Sequence, residues 1–131
     1  RRLKKRISDG MDTYDAFIEV QDHLLTLAKA KSEQLVFDRF DAAIQETEDE
    51  ELRGVLRTLC TLFALEAIES DRGWFLEQNY IEGSKAKAIR HEVNALCTEV
   101  RPMAEPLVDA FAIPNACLQA PIAQKQEAAT A

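Results

Sequence analysis

The stretch from Ser84 to Ala123 constrains this chain more than any other. Ala86, Ile89, Val93, Leu96, Val100, Met103, Leu107 and Phe111 keep the three-and-four spacing of one helix face. Pro102 and Pro106 fall inside that run. A proline removes an amide donor, and its ring clashes with the carbonyl four residues back. One straight helix from Ser84 to Phe111 is therefore excluded. Either the helix kinks, or it ends near Arg101 and restarts with Pro102 in its first turn. Ile113-Pro114 and Ala120-Pro121-Ile122 punctuate the segment beyond Phe111, with a short turn of helix expected over Asn115 to Leu118. Residues 124–131 read as a flexible tail.

Upstream, the pattern stays helical. Residues 12–45 carry one apolar stripe that includes Tyr14, Phe17, Ile18, Leu24, Leu25, Ala28, Leu35, Val36, Phe40, Ala43 and Ile44, and Asp12 or Thr13 can cap it. Residues 46–51 form a charged connection in which Thr47 and Glu50 fit a capping box for the next helix. That second helix, about 49–80, is apolar on more than one face and should be the most buried. Asp71-Arg72-Gly73 loosens its pattern, and Gly73 suggests a kink or a close helix approach. Glu82-Gly83-Ser84 is the next turn, with Ser84 as N-cap. The basic segment at residues 1–8 reads as the solvated end of a partial helix that Gly10 stops. The expected fold is all-α: an up-down antiparallel bundle of three long helices plus a partial N-terminal helix.

Composition narrows the function classes. Lys and Arg number 16 against 23 Asp and Glu, a net charge of −7, which argues against a general nucleic-acid binder despite the basic start. Cys60, Cys97 and Cys117 lie far apart, without a CxxC, so neither a disulfide framework nor a zinc pattern emerges. Cys60 and Cys97 sit in apolar runs and read as buried reduced thiols. No apolar stretch approaches the ~20 residues that span a bilayer. The start, Arg1-Arg2-Leu3, suggests a piece of a longer or processed polypeptide.

Local catalytic motifs do not appear. There is no GxGxxG, P-loop, GxSxG or HExxH. His23 falls beside the first apolar stripe and His91 is remote from it, so no metal motif forms. The acidic connection lacks the ligand positions and glycine of an EF loop. No catalytic residue and no metal ligand is assigned, and cofactor-binding residues are unknown at this level.

Leu107-Val108-Asp109-Ala110-Phe111, Ile113-Pro114 and Ala120-Pro121-Ile122 resemble the C-terminal helical domain of peroxisomal acyl-CoA oxidases. Lys85-Ala86-Lys87-Ala88-Ile89, Val100-Arg101-Pro102, Gln21-Asp22-His23-Leu24 and Leu62-Phe63-Ala64-Leu65 with Ile68 are similar to the same family, in the same order. The similarity covers residues 1–123. It implies a parent flavoenzyme that uses FAD to convert acyl-CoA to trans-2-enoyl-CoA, with O₂ reduced to hydrogen peroxide. The family's catalytic Glu and its flavin-binding β-domain lie outside this segment. The resemblance thus implies a structural bundle, inactive and holding no FAD alone, that packs on the catalytic domains and supports a homodimer. Substrate would bind mainly elsewhere, and the location implied is peroxisomal.

Three departures stand out. Ala112 occupies a position where relatives often have Gly, and Pro106 adds a break the family does not require. Ala129-Thr130-Ala131 is not a peroxisomal tripeptide. The alternative reading is a stand-alone helical interaction module without enzymatic activity. No nucleic-acid partner and no membrane span are expected.

Overall fold

A computed structural model describes residues 2–118 and 120, and backbone alone at Asn115. The order is α1 (Arg2–Ser8), α2 (Thr13–Ile18), α3 (Gln21–Glu46), α4 (Glu50–Ser70), α5 (Arg72–Glu77), α6 (Gly83–Val100) and α7 (Ala104–Asp109). Short 3-10 turns lie at Arg101–Met103 and Asn115–Cys117. No strand occurs among the described residues. The all-α expectation holds, and the three long helices are α3, α4 and α6, of 26, 21 and 18 residues. The chain divides into two units, Arg1–Val93 and Asn94–Ala131. The expected domain limit at residue 123 and the tail at 124–131 lie outside the described residues.

In the first unit, α1 ends in a Schellman motif. The Met11 amide donates to the Arg6 carbonyl and the Gly10 amide to that of Ile7. Gly10 sits at φ 92°, so the expected stop is made by a left-handed glycine. Asp12 caps α2 by accepting from the Tyr14 and Asp15 amides. The expected first helix then breaks at Glu19-Val20. Arg6 donates to Glu19 at 2.6 Å, and Ala16 and Val20 are buried. These contacts tie α2 to α1, and α3 starts afresh with Val20 as N-cap.

The α3–α4 connection corrects the expected capping box. Both the amide and the hydroxyl of Thr47 donate to the Ala43 carbonyl, at 3.0 and 2.6 Å, so Thr47 closes α3. Asp49 caps α4 through the Leu52 amide at 2.9 Å. Glu50 pairs forward with Arg53 at 2.7 Å instead of reaching back. The two helices are antiparallel: Phe40 meets Phe63, with ring centroids 6.0 Å apart, and Lys29 meets Asp71 at 2.5 Å. Val55, Leu56, Leu59, Leu62, Phe63, Leu65 and Ile68 are half-buried and Cys60 is buried, so α4 supplies much of the shared surface.

The expected second helix also breaks, at Asp71 (φ −101°, ψ 19°), where the carboxylate binds Lys29. Gly73 comes next, inside α5, and a Cβ there would meet nothing within 4 Å, so no close helix approach requires it. α5 ends in a second Schellman motif. The Tyr80 amide donates to the Phe75 carbonyl, the Asn79 amide to that of Leu76, and Asn79 is left-handed at φ 56°. Helix α6 begins at Gly83, which places Ser84 in the first turn rather than at the cap. Ala86 and Ile89 are buried, and Arg90 donates to Glu69 of α4 at 2.8 Å.

In the second unit, Val100 ends α6 and Pro102 stands in the 3-10 turn. Pro106 is in the first turn of α7, where an amide has no intrahelical partner to lose. The interrupted alternative is therefore realised, and each proline occupies a position that tolerates it. Ala112 takes a left-handed φ of 48°. The Cys117 amide donates to the Pro114 carbonyl at 2.8 Å, which forms the expected short turn as a 3-10 turn. Cys97 is exposed, contrary to the expectation of a buried thiol. It lies one residue, about 100°, round the helix from buried Leu96.

Candidate functional site

Helices α3, α4 and α5 enclose a cleft of about 570 Å³. The break at Asp71 ends α4 and starts α5, and residues on both sides of it line the cleft. Leu27 and Ala30 line one side, Ala67 and Ile68 another, and Trp74 and Phe75 close it. His23, Thr26, Lys29, Glu33 and Asp71 supply its polar edge.

The aromatic wall is held by the Schellman end of α5. Trp74 stacks on Tyr80, with centroids 5.5 Å apart at 23°, and meets Phe75 edge-on at 5.2 Å. Phe75 and Tyr80, 6.4 Å apart, are the apolar pair that such helix ends favour. Trp74 nonetheless remains 51% exposed.

Lys29 binds Asp71 at 2.5 Å and Glu33, one turn along α3, at 3.3 Å. Its pKa is raised, chiefly by the Asp71 hydrogen bond, with Glu33 adding to the effect against partial desolvation. Two carboxylates, Asp71 and Glu33, thus face one ammonium. His23 accepts from Arg2 through Nε2 at 2.6 Å, because a guanidinium can only donate. The basic start is thus partly committed: Arg2 and Arg6 both have partners within this unit.

A shallower depression of about 390 Å³ lies further along the α3–α4 pair, among Leu35, Val36, Arg39, Phe40, Ala43 and Leu56. Among the described residues, no three His, Cys, Asp or Glu gather as a metal set, and no helix is long and apolar enough to cross a membrane. Sequence reasoning assigned no site residue and missed this cleft. The available signal was Trp74-Phe75 just after Asp71-Arg72-Gly73.

Residues 1–126 match the sequence model of one family, acyl-CoA oxidase. The chain belongs to the acyl-CoA oxidase family. It is 35% identical over 127 residues to peroxisomal acyl-coenzyme A oxidase 2 of Arabidopsis thaliana, covering 97% of this chain and 18% of that protein. It is 33% identical over 110 residues to peroxisomal acyl-coenzyme A oxidase 2 of Mus musculus, covering 83% of this chain and 16% of that one. The crystal structure of acyl-CoA oxidase 3 from Yarrowia lipolytica superposes with a TM-score of 0.72 at 25% identity, over 93% of this chain and 18% of that chain. The chain therefore spans less than a fifth of the length of these relatives.

The cleft between α3, α4 and α5 does not fit the diphosphate of FAD. A flavin dinucleotide carries a diphosphate, which calls for free amides or cations. The cleft's lysine is already bound to two carboxylates. At no glycine would an added Cβ meet an atom within 4 Å, so none lines a tight cradle.

Proposed function

We propose that this chain is the C-terminal helical domain, residues 1–123, of an FAD-dependent acyl-CoA oxidase. The parent converts acyl-CoA to trans-2-enoyl-CoA in fatty-acid β-oxidation and reduces O₂ to hydrogen peroxide, in the peroxisome as its relatives' names indicate. The segment's own part is structural. It packs on the catalytic domains of the same polypeptide and supports a homodimer, while flavin and reacting groups lie elsewhere.

The observation that carries this reading is an unfinished core. Among the described residues only Ala16, Val20, Cys60, Ala86, Ile89 and Leu96 are buried, and none is aromatic. Tyr14, Phe17, Ile18, Leu25, Leu27, Leu35, Phe37, Trp74 and Phe111 stay exposed. Large exposed apolar surface marks an interaction site. The remaining four-fifths of an oxidase polypeptide is the natural cover.

The test compares the isolated chain with the full-length oxidase. The isolated chain should purify without flavin, turn over no acyl-CoA, bind an apolar dye and self-associate. Deleting it from the full-length enzyme should weaken the dimer. Stoichiometric FAD on the isolated chain would refute the assignment. A dye-silent monomer would favour a stand-alone module.

A further inference from the structure

We propose that the Arg2–His23 contact is a pH-sensitive latch that holds α1 on the start of α3 and opens when the imidazole takes up a proton. The latch is independent of the function proposed above. It follows from the chemistry of two side chains and the shortness of one helix.

Seven residues are too few for a helix to sustain itself in water. No α1 side chain is buried, and only Leu3 and Arg6 are half-buried. α1 therefore persists through ties to its neighbours. It packs on α2, Arg6 donates to Glu19 at 2.6 Å, and Arg2 donates to Nε2 of His23 at 2.6 Å. Of these ties, the Arg2 bond is the one that reaches α3.

A guanidinium keeps its proton and can only donate, so His23 must supply a lone pair. A neutral imidazole can offer one at Nε2, and an imidazolium has none. Protonation therefore removes the acceptor and leaves two cations in contact. His23 also lies in the first turn of α3, where the helix dipole opposes a positive charge. The charged groups around it come from four places. α1 brings Arg2 and, one turn on, Lys5 and Arg6; Glu19 follows α2; α3 brings Asp22, Lys29 and Glu33; Asp71 stands at the α4–α5 break. Arg6 is paired with Glu19, and Lys29 with Glu33 and Asp71. Asp22, adjacent in the chain, softens the repulsion but cannot restore the lost acceptor. Histidine is the side chain that changes charge between about pH 5 and 8, so the contact holds at the alkaline end and opens at the acid end. His23 also lines the cleft, which couples the position of α1 to that edge.

The experiment follows amide hydrogen exchange of the full-length oxidase by mass spectrometry at about pH 7.5 and about pH 5.5. It compares the unsubstituted protein with His23→Gln and Arg2→Met. Gln offers an acceptor oxygen at both pH values, and Met offers no donor at either. Each comparison is made at one pH, which cancels the intrinsic pH dependence of exchange. The readout is the peptide over residues 4–11, which contains the Asp9, Gly10 and Met11 amides that close α1. His23→Gln should match the unsubstituted protein at the higher pH and exchange severalfold more slowly at the lower. Arg2→Met should exchange severalfold faster at the higher pH and match the unsubstituted protein at the lower. Equal exchange of His23→Gln and the unsubstituted protein at the lower pH overturns the latch. So does a ratio that is the same at both pH values, or an Arg2→Met protein that is unaltered at the higher pH. Differences of the same size in α4 peptides would mark a global loss of stability and overturn it too.

Discussion

Replacing Ala112 by glycine should stabilise the chain, the reverse of the usual effect. Ala112 holds φ at 48°, between the end of α7 and Pro114. A left-handed backbone costs an L-residue about 1–2 kcal/mol, because Cβ crowds the following carbonyl oxygen. Glycine removes that cost but gains unfolded-chain entropy worth about 0.4–1 kcal/mol. The difference leaves a net gain of about 0–1.6 kcal/mol for Ala112→Gly, with a midpoint of about 0.8. Unfolding entropy near 2.1 cal/mol/K per residue makes the midpoint about 3 °C in Tm for a chain of this length. Circular dichroism during thermal and urea unfolding measures it, and hydrogen exchange of the amides around residues 110–112 assigns it to the second unit. Gly10→Ala is the mirror test. It sits at φ 92° with nothing within 4 Å of the new Cβ, so it isolates backbone strain and should destabilise. At an ordinary negative φ, Ala→Gly costs about 0.5–1 kcal/mol. A destabilised Ala112→Gly would therefore refute the left-handed geometry by sign alone.

Three further outcomes are expected. Asp49→Ala should cost about 1 kcal/mol in urea unfolding through loss of the α4 cap, while Glu50→Gln, on the surface, should cost under about 0.5 kcal/mol; the reverse order would restore the Thr47–Glu50 box. Cys97 and Cys117 should react promptly with a thiol reagent and Cys60 slowly, because burial first and the nearby Asp41 charge second raise its pKa; kinetics of mixed-disulfide formation decide this. The raised Lys29 pKa gives stability that is fully present below its unfolded value, near about 10.4, and is lost as pH rises through the higher folded value. Lys29→Met should accordingly lose less stability than the unsubstituted chain across that alkaline window, as read by unfolding at stepped pH.

The long helices were legible because burial on one face writes a three-and-four spacing into α3, α4 and α6. The prolines were legible too, since Pro102 and Pro106 leave few backbone choices. The breaks at Val20 and Asp71 were not. Each accompanies a contact distant in sequence, Arg6 with Glu19 and Lys29 with Asp71. Thr47 and Asp49 are both good capping residues, and only the hydrogen bonds show that they serve different helices. Cys97 was misplaced because an apolar run along the chain is not a helix face. The Schellman end of α5 has a sequence signal in Phe75, Asn79 and Tyr80, an apolar pair flanking an asparagine that tolerates the left-handed region. The cleft was out of reach, since its walls come from three helices and meet only after α5 turns.

The open indole of Trp74 has a practical consequence. The chain contains a single tryptophan, and it lines the cleft between α3, α4 and α5. Its emission comes from one known place and needs no label. In water contact it should emit toward the red, and a segment seated over it should move the band toward the blue. The 131-residue chain thus carries its own optical gauge of whether this indole is covered, readable during self-association, dilution or unfolding.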